Sequence, residues 1–437
     1  MAQPSLRSRC TVAVIAVLAC RVAGAQTSPG WGRFSLFAST NHRANADGTS
    51  SQFSELIATF TLRSAIPEGN GFEYAFDTRT QGSSGNERDT RTSLYEAYVG
   101  LHTGGGRMTL RLGQMWLNEL GGLGSFGGVL GEYHTSRGAS GWRLRTGVFV
   151  GLEPEILAVG YADNVKKGGV YAVAERTNGQ RHVLGYVRLE NSGLTERSVL
   201  TTLNFIPVGK TFFLYQAAEY DVASPGGEAE SGLNYLFASA RWAASRVFEV
   251  QASYHHGRSI DARSISNDVL NGRPVPARLL EGYLFESLGG RVTFMVAEGL
   301  RLYLGYGQDR NNEDDKAYPR TTIGVSANNL LKSGLDLTAS NTSFDRASGG
   351  YDSLYVSLGR SLGSRVYLSL DYTSSLSVVR VVDGNGVVVE SRPESDRYSL
   401  SSNINLSRRL AVFLTAERLE DGDGHDDRLL TGLSVRF

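Results

Sequence analysis

Cysteine is all but missing from this chain: Cys10 and Cys20 are the only two, both within the first twenty of 437 residues. Nothing downstream can form a disulfide, a thiolate metal site or a cysteine nucleophile. Lysine is almost as scarce, with Lys166, Lys167, Lys210, Lys316 and Lys332 standing alone against a majority of arginines among 44 basic residues. Net charge is absent too, because 44 acidic residues balance those 44. Nothing in that balance is basic enough to point to nucleic acid as a partner. No segment reaches the ~18 consecutive apolar residues of a transmembrane helix, and mean hydropathy is -0.21. The seven histidines are scattered. His255 and His256 sit where a strand meets a loop, and adjacent residues of a strand point to opposite faces, so the pair does not act together. With no serine, aspartate or further histidine spaced to complete a catalytic or metal-binding set, the expectation is a non-enzyme without cofactor or metal.

The N-terminus has a purpose of its own. Arg7 and Arg9 precede the apolar run Thr11 to Cys20, and Ala23-Gly24-Ala25 supplies a small-x-small cleavage site. This is the pattern of a secretory signal peptide over residues 1–25, leaving residues 26–437 as the mature domain. Val17-Leu18-Ala19-Cys20 is a poorer match, to a lipoprotein signal. Cleavage after Ala25 removes Arg7, Arg9 and Arg21, which takes 44 basic residues to 41 against 44 acidic ones, and removes both cysteines. An exported chain without disulfides has to draw its stability from elsewhere, and a closed hydrogen-bonded ladder in lipid supplies it.

The mature sequence repeats one theme, alternation with a period of two. Met108, Leu110 and Leu112 oppose Arg107, Thr109 and Arg111; Val366, Leu368, Leu370 and Tyr372 oppose Arg365, Ser369 and Asp371. Phe248, Val250, Ala252 and Tyr254 oppose Glu249, Gln251, Ser253 and His255, and Leu300, Leu302 and Leu304 oppose Arg301 and Tyr303. Strands with one apolar and one polar face read this way. Because only alternate side chains meet lipid, such a chain stays hydrophilic on average while spanning a membrane. Tight turns at Thr103–Gly106, Pro207–Gly209, Ala243–Ser245, Ala297–Gly299, Gly363–Ser364 and Ser407–Arg408 alternate with longer polar connections. Those are Gln81–Thr90, Asp221–Glu230, Arg258–Leu280, Arg310–Ala317, Phe344–Gly350 and Val381–Ser395. Short on one side and long on the other is the outer-membrane arrangement. Pro67, Pro154, Pro207, Pro225, Pro274, Pro276 and Pro393 are all expected in turns or loops, as a ladder that proline cannot join requires. Phe34, Tyr98, Trp116, Trp142, Trp242 and Tyr398 lie near strand ends, where a membrane-interface girdle would sit. The fold expected is all-β, a transmembrane antiparallel up-and-down barrel of roughly 18–22 strands. A soluble exported sandwich or β-helix is the competing fold, and it lacks support from any edge-protecting device.

Two segments resemble Gram-negative porin-type outer-membrane proteins. The terminal run LLTGLSVRF places Leu429, Leu433, Val435 and Phe437 at alternate positions and is similar to the insertion signal that ends such barrels, with Thr431 departing from the large residue usual there. Leu94–Gln114 resembles a porin hairpin in which an AYV strand is followed by one ending LRLG. The resemblance implies residence in the outer membrane, contact with its lipid, insertion by the barrel-assembly machinery, and a monomeric or trimeric state. It also implies passive diffusion of small hydrophilic solutes. A barrel serving adhesion, surface-polymer binding or envelope structure is the alternative.

If the apolar faces meet lipid, the opposite faces line the lumen. Glu73, Asp77, Arg79, Glu96, Arg111, Arg143, Arg145, Glu249, Arg301 and Asp371 are then the pore-lining candidates. Opposed rows of acids and arginines would set ion preference across a wet pore; equally, they would be salt bridges holding strands together. The glycine-rich stretch Gly121–Gly131 is expected to connect the strands ending near Trp116 and starting near Trp142, either folded into the lumen or at the surface. Few residues separate Ala25 from the first strand, which argues against a plugged, energy-coupled receptor. An unplugged barrel of 22 strands would need its own loops to fill it.

Overall fold

Each alternating segment is a strand, and in a computed structural model neighbouring strands hydrogen-bond antiparallel around one continuous wall. The structure describes residues 30–84, 90–155, 158–223, 231–312, 316–330, 332–346, 349–382 and 388–437; the expected signal peptide and both cysteines lie outside them. One flank of the wall runs β1 (Trp31–Asn45), β2 (Ser50–Arg63), β3 (Gly71–Ser84), β4 (Arg91–Thr103), β5 (Met108–Trp116), β6 (Ser125–His134) and β7 (Trp142–Pro154). It continues through β8 (Tyr161–Arg176), β9 (Arg181–Asn191), β10 (Leu194–Val208), β11 (Phe212–Ala223), β12 (Gly232–Ala243), β13 (Phe248–Ser259), β14 (Tyr283–Ala297) and β15 (Leu300–Asn311). The rest comprises β16 (Tyr318–Leu330), β17 (Leu335–Arg346), β18 (Gly349–Leu362), β19 (Val366–Val382), β20 (Val388–Ser391), β21 (Glu394–Asn405), β22 (Leu410–Asp421) and β23 (Gly424–Arg436). Short β20 and β21 both pair with β19. Pro393, which has no N–H to give, separates the two. Among the described residues the barrel therefore has 22 wall strands and one extra short one, at the top of the expected range.

Closure is direct. β1 pairs with β23 from Arg33 opposite Arg436 to Asn45 opposite Gly424. The Gly32 N–H donates to the Phe437 carbonyl at 2.8 Å and the Phe437 N–H returns to Gly32 at 3.0 Å. Leu429 and Leu433 are exposed on the outer face. The Phe437 ring stacks on Phe60 with centroids 6.3 Å apart and lies over Gly32, where any Cβ would overlap it.

The faces divide as alternation requires. On β5, Met108, Leu110 and Leu112 are 56, 54 and 59% exposed while Thr109 is buried; on β7, Val148 and Val150 are exposed while Phe149 is buried. Moving each large outer residue from water into hydrocarbon contributes about 1.5–3 kcal/mol. This is what holds a transmembrane barrel in lipid. Outward rings mark both ends of the band: Trp116, Tyr220 and Tyr398 at one, Tyr133, Trp242 and Phe294 at the other. Tyr98 departs from the expected girdle, packing inward under Arg111 at 5.6 Å.

Three further expectations change. The short-long rhythm is looser than expected: at the loop end, β9 and β10 are joined only by Ser192 and Gly193, and β22 and β23 only by Gly422 and Asp423. Phe344–Gly350 is mostly strand, β17 reaching Arg346 and β18 starting at Gly349. Pro154 and Pro207 are in the last residues of β7 and β10 rather than in turns, where the ladder is ending. The tight Thr103–Gly106 turn stands as expected, with Gly104, Gly105 and Gly106 at φ of 62°, 71° and 82°, values a side chain resists. Gly113 has a φ of 129°, and a Cβ there would overlap the Ala97 carbonyl, so only glycine lets β5 approach β4 at this point.

Candidate functional site

The inward faces of β3 to β9 carry a continuous chain of ion pairs. Glu73 on β3 meets Arg111 on β5. Arg111 Nη1 reaches Glu132 Oε2 on β6 at 2.9 Å, and Arg145 Nη1 on β7 reaches Glu132 Oε1 at 2.7 Å. Arg145 also pairs with Glu119, which holds Arg181 Nη2 on β9 at 2.8 Å. Acid and arginine alternate through six residues. His102 Nε2 lies 3.2 Å from Glu73 Oε2, its Nδ1 is 3.1 Å from Thr109 Oγ1, and the Tyr171 hydroxyl donates to Glu132. Register explains how Glu73 crosses a whole strand: Gly100 of β4 sits between Glu73 and Arg111, and a Cβ there would collide with the Glu73 side chain.

The sequence-predicted residues fall into separate groups. Glu73, Arg111 and Arg145 belong to this chain. Glu96 pairs with Arg63 opposite Asp77. Arg79 donates to Gln81 at 3.0 Å and keeps a buried Nε without a partner. Arg143 Nη2 holds Glu175 at 2.5 Å, and Glu249 holds Arg241 at 2.6 Å. Asp371 accepts from the Tyr355 hydroxyl at 3.0 Å. Arg301 is exposed and makes no ion pair among the described residues. Glu119, Glu132 and Arg181, which tie the chain together, carry no alternation signal that would have marked them.

Gly121–Gly131 is not one loop. Its second half is β6; its first half belongs to the 3-10 turn Asn118–Gly124, which folds inward onto β9 and β10. Leu120 of that turn is fully buried and Leu123 nearly so, in a cluster with Phe126, Leu130, Phe149 and Val187. On β6 the inward residues Phe126 and Leu130 are apolar while Val129 and Tyr133 face outward. One sector of the lumen is therefore filled by a hydrophobic core under an ionic lattice.

The long connection after Ser259 also folds across. Helix α1 (Ala262–Leu270) starts at Asp261, whose carboxylate accepts from the Ser264 N–H at 3.0 Å and hydroxyl at 2.6 Å. Those two hydrogen bonds hold the carboxyl below its ordinary range. Arg263 Nε donates to Glu196 at 2.6 Å, Asn191 donates to Ser266 at 3.1 Å, and Ile265 is buried, pinning the helix to the β9–β10 hairpin. A second helix, α2 (Ala277–Glu281), leads into β14. Between the inward turn, this connection and the walls β10 to β14 lies a cavity of about 640 Å³. Beside it, His255 packs among Tyr235, Phe237 and Phe285, with centroids 5.6 to 6.3 Å apart. His256 lies on the opposite face against Glu286 at 3.2 Å. Beyond β11 the inward wall opens: Arg241, Arg291 and Arg301 are all exposed. Among the described residues no group of three or more histidines, cysteines or acids is placed to hold a metal.

No protein-family model matches the sequence, and no curated protein does. Solved structures do match. The chain is similar to OccAB4 of Acinetobacter baumannii, 10% identical over 94% of this chain and 99% of that one, TM-score 0.43. It is similar to OccK7 (OpdD) of Pseudomonas aeruginosa, 11% identical over 93% and 99%, TM-score 0.43. It is also similar to a double mutant of the ferric enterobactin receptor PfeA of Pseudomonas aeruginosa, 9% identical over 94% of this chain and 81% of that one, TM-score 0.54. The likeness to the receptor is one of fold.

Proposed function

We propose that this chain is an outer-membrane channel for passive diffusion of small hydrophilic solutes. The observation that carries the reading is the uneven lumen. Inward residues from β4 to β10 are packed, while the inward arginines of β12, β14 and β15 stand in an exposed, wettable wall. Barrels of 22 strands are generally plugged, and here the chain's own turn and long connection occupy part of the bore. A water path along the open wall, lined by residues of both signs, suits small polar solutes. In this reading residues 1–25 direct export and are removed, and the outer-face series ending at Phe437 is presented to the assembly machinery. Intact mass of protein purified from outer membranes should give a chain beginning at Gln26; retention of the first 25 residues would remove the signal-peptide assignment.

Purified protein in a planar bilayer should give discrete conducting steps. Silence at every voltage, from protein whose gel mobility shifts on heating, would instead favour a barrel for adhesion or envelope structure. Selectivity should respond most cleanly at Arg301, which is exposed and has no ion-pair partner to lose among the described residues. Arg301→Glu should move the reversal potential in a salt gradient toward cation preference, and an unmoved potential would place Arg301 outside the conducting path. Arg111 is unsuitable for that test, because reversing it sets a carboxylate against Glu73 and Glu132.

A further inference from the structure

We infer that the cavity behind the inward turn is a binding site for a neutral, ring-shaped polyol, a mono- or disaccharide. The inference names the solute class of the channel reading above and rests on it. The volume of about 640 Å³ lies within the ~300–1,000 Å³ typical of small-ligand sites. Tyr215, Tyr235, Tyr283 and Phe285 line it. Their π faces are negative at the centre and suit the weakly positive C–H face of a sugar ring. Aromatic rings alone would equally take an apolar or cationic ligand; the charges decide.

Both signs are present and already have partners, an opposite charge for Arg197 and Glu119 and backbone carbonyls for Arg258. Arg197 Nη2 holds Asp221 at 2.8 Å and lies 3.7 Å from Glu219. Glu119 is held by Arg145 and Arg181. Arg258 donates to the carbonyls of Glu281 at 2.8 Å and Leu280 at 3.0 Å. An ion taken up by Arg197 or Glu119 would have to displace a charged partner from a partly dry site, which leaves the displaced charge uncompensated, and one taken up by Arg258 would break its hydrogen bonds to both carbonyls. A hydroxyl-rich neutral ligand displaces nothing. It donates to spare carboxylate lone pairs on Glu219 and accepts from unused N–H groups of Arg197, and hydrogen bonds to ionised partners are the stronger kind. The inward turn lines the cavity with Glu119 and two glycines and the long connection lines it with Ile260, both at the loop end, so the ligand meets it there before entering the bore.

The test is sucrose, added to the loop side of single channels in a bilayer and titrated calorimetrically against the same protein in detergent. Saturable current block and saturable heat at millimolar sucrose are expected, with Tyr235→Ala weakening both about tenfold, the effect of losing ~1.4 kcal/mol of contact. Tyr283→Ala, at an exposed strand end, serves if Tyr235→Ala does not fold, and should weaken sucrose in the same direction. Conducting channels that sucrose neither blocks nor binds overturn the sugar assignment while leaving the channel. So does tighter block by gluconate or glycine betaine, probes of anionic and zwitterionic ligands. Affinity unchanged in both variants moves the site elsewhere. A barrel that never conducts removes the channel reading and this inference with it.

Discussion

Replacing Glu132 with leucine should cost the barrel about 3–5 kcal/mol, the usual price of leaving a buried ion uncompensated. The Glu132 side chain is 1% exposed and holds both Arg111 and Arg145, and it accepts a hydrogen bond from the Tyr171 hydroxyl. Its removal leaves two guanidinium groups sharing Glu73 and Glu119, with a phenol facing leucine. Glu132→Gln keeps an acceptor and the volume, so it should fall well short of the leucine variant. Urea unfolding in lipid vesicles, followed by tryptophan fluorescence, would measure both. Arg145→Leu combined with Glu132→Leu should be less destabilised than the sum of the single variants, because one member of the pair no longer lacks the other. A Glu132→Leu unfolding free energy within about 0.5 kcal/mol of wild type, the range of ordinary surface changes, would mean that water screens the lattice.

That lattice marks where sequence reading stopped. The barrel was legible because its outer face must be apolar at every second residue, and Met108, Leu110 and Leu112 or Leu300, Leu302 and Leu304 say so without reference to anything distant. β6 was not legible. Its inward Phe126 and Leu130 pack a core, its outward Val129 meets lipid, and Gly127, Gly128 and Gly131 interrupt both faces, so no period survives. Placing charges on the inward face followed from alternation, and Glu73, Arg111 and Arg145 are found together. Which charges meet depended on register and on gaps such as Gly100, and alternation encodes neither. The aromatic wall around His255 was hidden for a related reason: its rings come from β11, β12, β13 and β14, one or two from each. The inward turn was anticipated as one of two fates of a glycine-rich stretch, but half of that stretch is wall.

Replacing Leu117–Gly124 with a two-residue turn like the one between β9 and β10, so that it joins Trp116 to Ser125, should raise single-channel conductance. The turn occupies part of the lumen against β9 and β10, and conductance follows open cross-section, so a rise on the order of twofold is expected. The same deletion should cost stability, since Leu120 is fully buried and losing one such leucine typically costs about 2–5 kcal/mol. Two forces hold the turn: the apolar contacts of Leu120 and Leu123, and the grip of Arg145 and Arg181 on Glu119. They separate experimentally. Glu119→Gln keeps the apolar anchor and should leave the turn in place, with conductance near wild type. Leu120→Asn keeps the ion pairs but sets an amide in the core, and should release the turn part of the time, giving flicker between two current levels. Unchanged conductance after excision would place the narrowest point elsewhere, with the connection carrying α1 the next segment to shorten. A rise accompanied by loss of sucrose block would mean that the turn both narrows the bore and completes the cavity. Glu119 touches both, pairing with the ionic lattice and lining the sugar site, so one deletion should change what passes as well as how fast.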